Sequence, residues 1–131
     1  DGVCTVEDGM QEVFRKIAAA DAVILASPVF FGSISAQTKM MIDRFECHWL
    51  AKFKFKKLPP QKKKTGAFIC VEATTRRDFL ESAKAVAKNF FVTIGASYKQ
   101  ELLCEGLEGR GALDSRPELL SRAFELGQKL V

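Results

Sequence analysis

The chain has 131 residues, of which 47% are hydrophobic and 27% charged. That is the composition of one globular domain, and it excludes disordered or collagen-like sequence. The net charge of +4 is smaller than the seven lysines of residues 52–64 (KFKFKKLPPQKKK), a stretch without an acid, so the remainder of the chain is net acidic. No apolar run approaches the ~20 residues that a membrane-spanning helix needs. The segment DGVCTVEDGM is acidic and lacks the apolar core of a signal peptide, so the expectation is a cytoplasmic protein without a membrane partner.

In chain order, Met10, Val13, Phe14 and Ile17 recur at helical spacing and predict a helix over 7–18, with Asp8 as its cap. The run AVILA at 22–26 predicts a strand covered on both faces, as in a parallel sheet, ended by Ser27-Pro28. A helix is predicted from Ile34 to about Leu50, capped by Ser33 or Ser35, with Met41, Ile42 and Phe45 facing the core. The lysine-rich stretch with Pro59-Pro60 follows. GAFICV at 66–71 predicts a second buried strand, 78–91 a helix with Phe79, Leu80, Ala83, Val86, Ala87 and Phe90 on one face, and ASYKQELL at 96–103 an edge strand. Pro117 and Glu118 open a last helix lined by Leu119, Leu120, Ala123, Phe124 and Leu130.

Alternating helices and strands without a linker predict a single α/β domain over 1–131, with a parallel sheet, right-handed crossovers and two helices on each face. The four cysteines, Cys4, Cys47, Cys70 and Cys104, show no CxxC or Cys/His spacing, so no self-sufficient metal site is expected. Cys70, inside a strand pattern, reads as a buried inert thiol. His48 has no visible triad partner and reads as a helix-end or interface residue.

Ligands of open α/β sheets bind beyond the carboxyl ends of the strands, and SPVFFGS at 27–33 lies at such an end. Pro28 stiffens the turn and Gly32 permits close backbone approach. Phe30 and Phe31 offer flat apolar surface, and the next helix start offers N–H groups. Together these suit a flat, partly polar ring; the plainer reading is a strand-to-helix turn with two core aromatics.

The stretch DAVILASPVFFGSISAQTKMMIDRF at 21–45 resembles the S/T-P-V-Y-[FW]-G-S and K-x-x-x-D-R segment of the flavodoxin-like NADPH-dependent FMN reductases and iron-sulfur flavoproteins. Upstream, CTVEDGM at 4–10 resembles the C-x-x-x-D-D-M turn of the same group. The resemblance implies a flavodoxin-like three-layer sandwich with a parallel sheet, and an FMN ring packed beside Ser27, Pro28, Val29, Phe30, Gly32 and Ser33. It also implies NAD(P)H as hydride donor, a small-molecule electron acceptor, and a homo-oligomer. Lys39, Asp43 and Arg44 match the helix signature and are assigned to ion pairs and subunit contacts. The flavin carries the redox chemistry, so no catalytic side chain is named.

Two departures set further expectations. The family's first strand and phosphate-binding loop would precede Asp1, so the chain reads as an N-terminally truncated domain in which the edge of AVILA calls for a cover: a second copy, a swapped segment or an N-terminal piece. Cys4 alone cannot hold an iron-sulfur cluster, which takes four thiolates. The loop after GAFICV is Glu72-Ala73-Thr74-Thr75-Arg76 where the family carries glycines. Thr74 and Thr75 are assigned to the ring edge, and Arg76 or Arg77 to its reduced, anionic form. Two other readings stand beside this one: a flavodoxin-like domain that no longer binds flavin, and a basic binding module using residues 52–64 on phosphates, with Phe53 and Phe55 stacking bases. The second is disfavoured because the patch is short.

Overall fold

A computed structural model describes residues 3–130. Helix α1 (Met10–Ala19) leads into β1 (Ala22–Phe30), which turns back as β2 (Ser33–Ile34). Helices α2 (Ala36–Asp43) and α3 (Glu46–Trp49) follow, and α3 runs on as a π-helical segment, Leu50–Lys54. Then come β3 (Lys64–Val71), α4 (Arg77–Thr93), β4 (Ala96–Cys104) and α5 (Pro117–Gln128). The sheet order is β2-β1-β3-β4, with β1, β3 and β4 parallel and only β2 antiparallel. This is the flavodoxin-like three-layer arrangement, with β4 at the edge that its alternating polarity predicts.

The central strand β3 is packed on both faces. Phe68 and Cys70 point into a core shared with Phe45 and with Ala83, Ala87, Phe90 and Phe91 of α4, while Ala67 joins Leu102, Leu119 and Leu126 on the other side. Phe45 anchors the first core, with edge-on ring contacts to Phe14 (4.8 Å) and Phe90 (5.2 Å). Gly66 lets α4 lie close to the sheet: a Cβ there would sit 2.6 Å from the Phe91 ring.

Four expectations need correction. Ser27-Pro28 does not end β1, which continues to Phe30. Proline is tolerated in edge strands, and among the described residues nothing pairs with the outer edge of β1 before Val29. The helix predicted over 34–50 is divided at Arg44 and Phe45, because Phe45 is drawn into the core while Arg44 reaches back to Asp8 and the carbonyl of Val6.

The helices are not shared evenly between the faces. Residues of α1, α2 and α4 pack in the first core, and α5 alone serves the second. As a result AVILA is covered unevenly: Leu25 is buried and Ala22 packs against the second core, but Ile24, on the same face as Ala22, is 50% exposed. The last correction concerns α5, where Leu119 and Leu126 carry the packing and Leu120 and Phe124 are exposed.

The outer edge of Ala22–Pro28 therefore presents unpaired backbone beside the bare Ile24, the surface for which a cover is expected. Ile24→Lys should raise the dissociation constant of any self-association about tenfold, since burying such a side chain contributes ~1.5–3 kcal/mol; sedimentation velocity across a concentration series measures it. Gly66→Ala should cost about 1–3 kcal/mol by overpacking the Phe91 ring, seen as a lower urea midpoint at unchanged slope.

Candidate functional site at the carboxyl edge of the sheet

The three parallel strands finish level with one another: Pro28 lies opposite Val71, and Val71 opposite Cys104. Their exit loops therefore gather at one edge. The Val29–Ile34 and Phe30–Ser33 pairs close a two-residue hairpin over Phe31 and Gly32, whose φ values are +49° and +84°. Positive φ at both central positions is the type I′ pattern. The usual Asn-Gly or Asp-Gly is replaced by Phe-Gly, so the sequence signal for this hairpin is hidden. A left-handed phenylalanine costs roughly 1–2 kcal/mol, and its side chain, fully exposed, gains no contact in return.

The hairpin rests on the start of α4. A Cβ at Gly32 would lie 3.2 Å from the Phe79 ring, and the Arg76 guanidinium covers that ring at 4.1 Å from its centroid while pairing with Asp78. Phe30, 60% exposed, and the fully exposed Phe31 thus project from a hairpin whose Gly32 rests on Phe79. Ser27 is placed differently. It is buried, its Oγ accepting from the Ser35 N–H (2.9 Å) and donating to the Pro28 carbonyl (2.8 Å), so it pins the hairpin to the cap of α2. Ser35, not Ser33, caps that helix, accepting from the Thr38 N–H. Val29 packs half-buried against the first core, and Ser33 pairs with Phe30 in the ladder.

The second loop is tied to the third. The Glu72 N–H donates to the Cys104 carbonyl (2.8 Å), the Gly106 N–H to the Thr74 carbonyl (2.9 Å) and the Leu107 N–H to the Glu72 carbonyl (3.0 Å). Thr74 and Thr75 are exposed, and the Thr74 hydroxyl donates to Glu72 Oε1. Glu72 itself is buried, and its Oε2 has no partner. A buried carboxylate oxygen left open is costly. Alongside runs a cleft of about 670 Å³ whose lining includes Thr75, Arg77, Glu101, Gly106, Arg116 and Arg122. Sequence reasoning missed Phe79, Gly106 and the open oxygen of Glu72, since each matters only through contacts across loops.

The helix signature does structural work. Lys39 pairs with Asp43 at 2.6 Å. Arg44 bonds Asp8 (2.5 Å) and the Cys4 thiol (3.1 Å), and this guanidinium lowers the Cys4 pKa below that of an ordinary thiol. All four thiols are free. Cys47 is half-buried, and Cys70 is fully buried, with burial pushing its pKa up to about 11. His48 packs on Phe14 and Phe45, and burial lowers its pKa. No group of three or more potential metal ligands occurs among the described residues, and no described helix is long and apolar enough to cross a membrane.

The family model for NADPH-dependent FMN reductases matches residues 1–101. The chain belongs to this family. An iron-sulfur flavoprotein of Methanocaldococcus jannaschii is 48% identical over 44 residues, a stretch covering 34% of this chain and 23% of that protein. The fold is similar to that of the Trp repressor binding protein from Bacillus subtilis (TM-score 0.67, 22% identity, covering 90% of this chain and 75% of that one). It is also similar to general stress protein 14 of Treponema denticola, solved in complex with FMN (TM-score 0.54, 17% identity, covering 96% and 72%).

Phe31→Asn should raise stability by about 0.5–1 kcal/mol, because asparagine tolerates the left-handed turn and no packing is lost. A higher urea midpoint at unchanged slope is the expected result.

Proposed function

We propose that the carboxyl edge of this sheet is the ring-side wall of an FMN site in an NAD(P)H-dependent oxidoreductase. The observation that carries the reading is the strained Phe31-Gly32 hairpin, which leaves Phe30 and Phe31 exposed while Gly32 rests on the Phe79 ring under Arg76. Backbone strain held at a loop without a packing reward is a mark of functional sites. The exposed Thr74 and Thr75 supply polar partners for a flat heteroaromatic ring.

FMN bound there supplies hydride chemistry between a nicotinamide and a small-molecule acceptor. The chain's own residues have other roles. Phe30 and Phe31 exclude water from a ring face, Gly32 seats the hairpin on the Phe79 ring, and Thr74 and Thr75 orient the polar rim. Arg76 favours a negative charge on the ring. Ser27 acts from behind, by fixing the hairpin to α2. On this reading the exposed aromatics and the two threonines take the ring; for the phosphate the neighbouring cleft offers Arg77, Arg116 and Arg122, set among Glu81, Glu101 and Glu105, and Arg116 already pairs with Glu118. The assembly proposed is a homo-oligomer in the cytoplasm.

The structure weighs against the basic-module reading. Lys62 pairs with Asp21, Lys52 donates to the Val92 carbonyl, and Lys64 is buried, so the lysine run is partly spent on the protein itself.

The test is a visible absorption spectrum with intact mass, before and after FMN is added. Uptake with a perturbed flavin band is expected, and Phe31→Asn should weaken it about three- to tenfold through loss of ring contact. The same substitution then moves stability and affinity in opposite directions. No uptake at the mass of the chain overturns the proposal for this chain and favours a domain that has lost flavin binding.

A further inference from the structure

At the opposite, amino end of the sheet lies a cavity of about 280 Å³. Phe14 and Ile17 of α1, Phe45, His48, Pro59 and Pro60 are among the residues that form its wall. Lys64, the first residue of β3, borders it at 5% exposure. The Lys64 ammonium donates to the Lys62 carbonyl (3.1 Å) and the Ile94 carbonyl (3.4 Å), and no carboxylate pairs with it among the described residues. An ammonium has three donors, so one is left over, and a buried cation without a counter-charge is unfavourable. Lys62 also lines the cavity, but its charge is met by Asp21 at 2.7 Å. Burial and the neighbouring Lys62 and Lys52 lower the Lys64 pKa, in keeping with an uncompensated positive site.

We propose that this cavity binds a small monocarboxylate with a flat apolar body, its carboxylate on Lys64 Nζ and its body between Phe14, Phe45, His48 and the Pro59-Pro60 wall. Size and chemistry both narrow the occupant. At the ~30 Å³ that a water occupies in the liquid, the cavity holds about nine such groups, close to one aromatic acid. A phosphate would need several donors, whereas the single ammonium without a counter-charge, Lys64, in a wall that is mainly apolar beside Gln61, His48 and the paired Lys62 suits a carboxylate. This site is independent of the flavin reading, being at the other end of the strands.

The probe is benzoate, titrated into the isotope-labelled chain and followed by amide chemical shifts, with neutral benzamide as control. Saturable shifts confined to 14–18, 45–48, 58–64 and 94 are expected, with benzamide at least about tenfold weaker. Lys64→Met keeps the length of the side chain and removes the charge, and it should weaken benzoate by a similar factor. Ala18→Phe, at an exposed position on the cavity wall, should block both probes while leaving the core untouched. No saturable shifts, equal affinity for benzamide, or full affinity in a folded Lys64→Met each overturn the proposal. Loss of benzoate binding in Ala18→Phe together with full binding in Lys64→Met marks an apolar hole without anion recognition, and overturns it equally.

Discussion

The parallel ladder of β1, β3 and β4 is the constraint from which the rest follows. Its register sets Pro28, Val71 and Cys104 side by side, so three loops that are far apart in sequence leave the sheet at one level. A parallel pair also requires the chain crossing to run over a face; α4, which joins β3 to β4, covers one face, while α5, which follows β4, packs on the other. Phe68 and Ala67, neighbours in sequence, therefore enter different cores. The residues at the carboxyl edge are brought together by this geometry before any of them touches a ligand.

The hairpin shows how order at the edge is maintained. Ser27 is inside the protein and never meets solvent, yet its hydroxyl ties the strand to the cap of α2. The Phe31 backbone is held in an unfavourable region by pairs on either side of it, Val29 with Ile34 and Phe30 with Ser33. Rigid elements thus hold a turn that would relax if it were free, and the aromatic side chains it carries are kept out of the core.

Much of this was legible in advance, for identifiable reasons. The helical spacing of α1 and α4, the apolar run of β3 and the alternation of β4 are local signals that survive folding, because each element buries the face its pattern displays. AVILA misled: a run of apolar residues says that a strand tolerates cover on both faces, not that both covers are complete. The hairpin stayed hidden since Phe-Gly lacks the asparagine or aspartate that marks such a turn. The break at Arg44 was invisible because it depends on Asp8 and Val6, more than thirty residues away. Within the candidate site, SPVFFGS could be placed at a strand's carboxyl end from sequence, but its neighbours there, Phe79 and the Gly106 turn, are set by topology alone.

The four thiols carry a consequence of another kind. They span a graded series: Cys4 beside a guanidinium near the surface, Cys47 half-covered, Cys104 buried near the end of an edge strand and Cys70 sealed in the central one. A reagent that modifies thiolates would meet them in the order in which the protein opens. Cys4 needs no opening at all, whereas Cys70 becomes accessible only when the ladder itself separates. The chain thus contains its own clock for local against global unfolding, readable by mass without any added label.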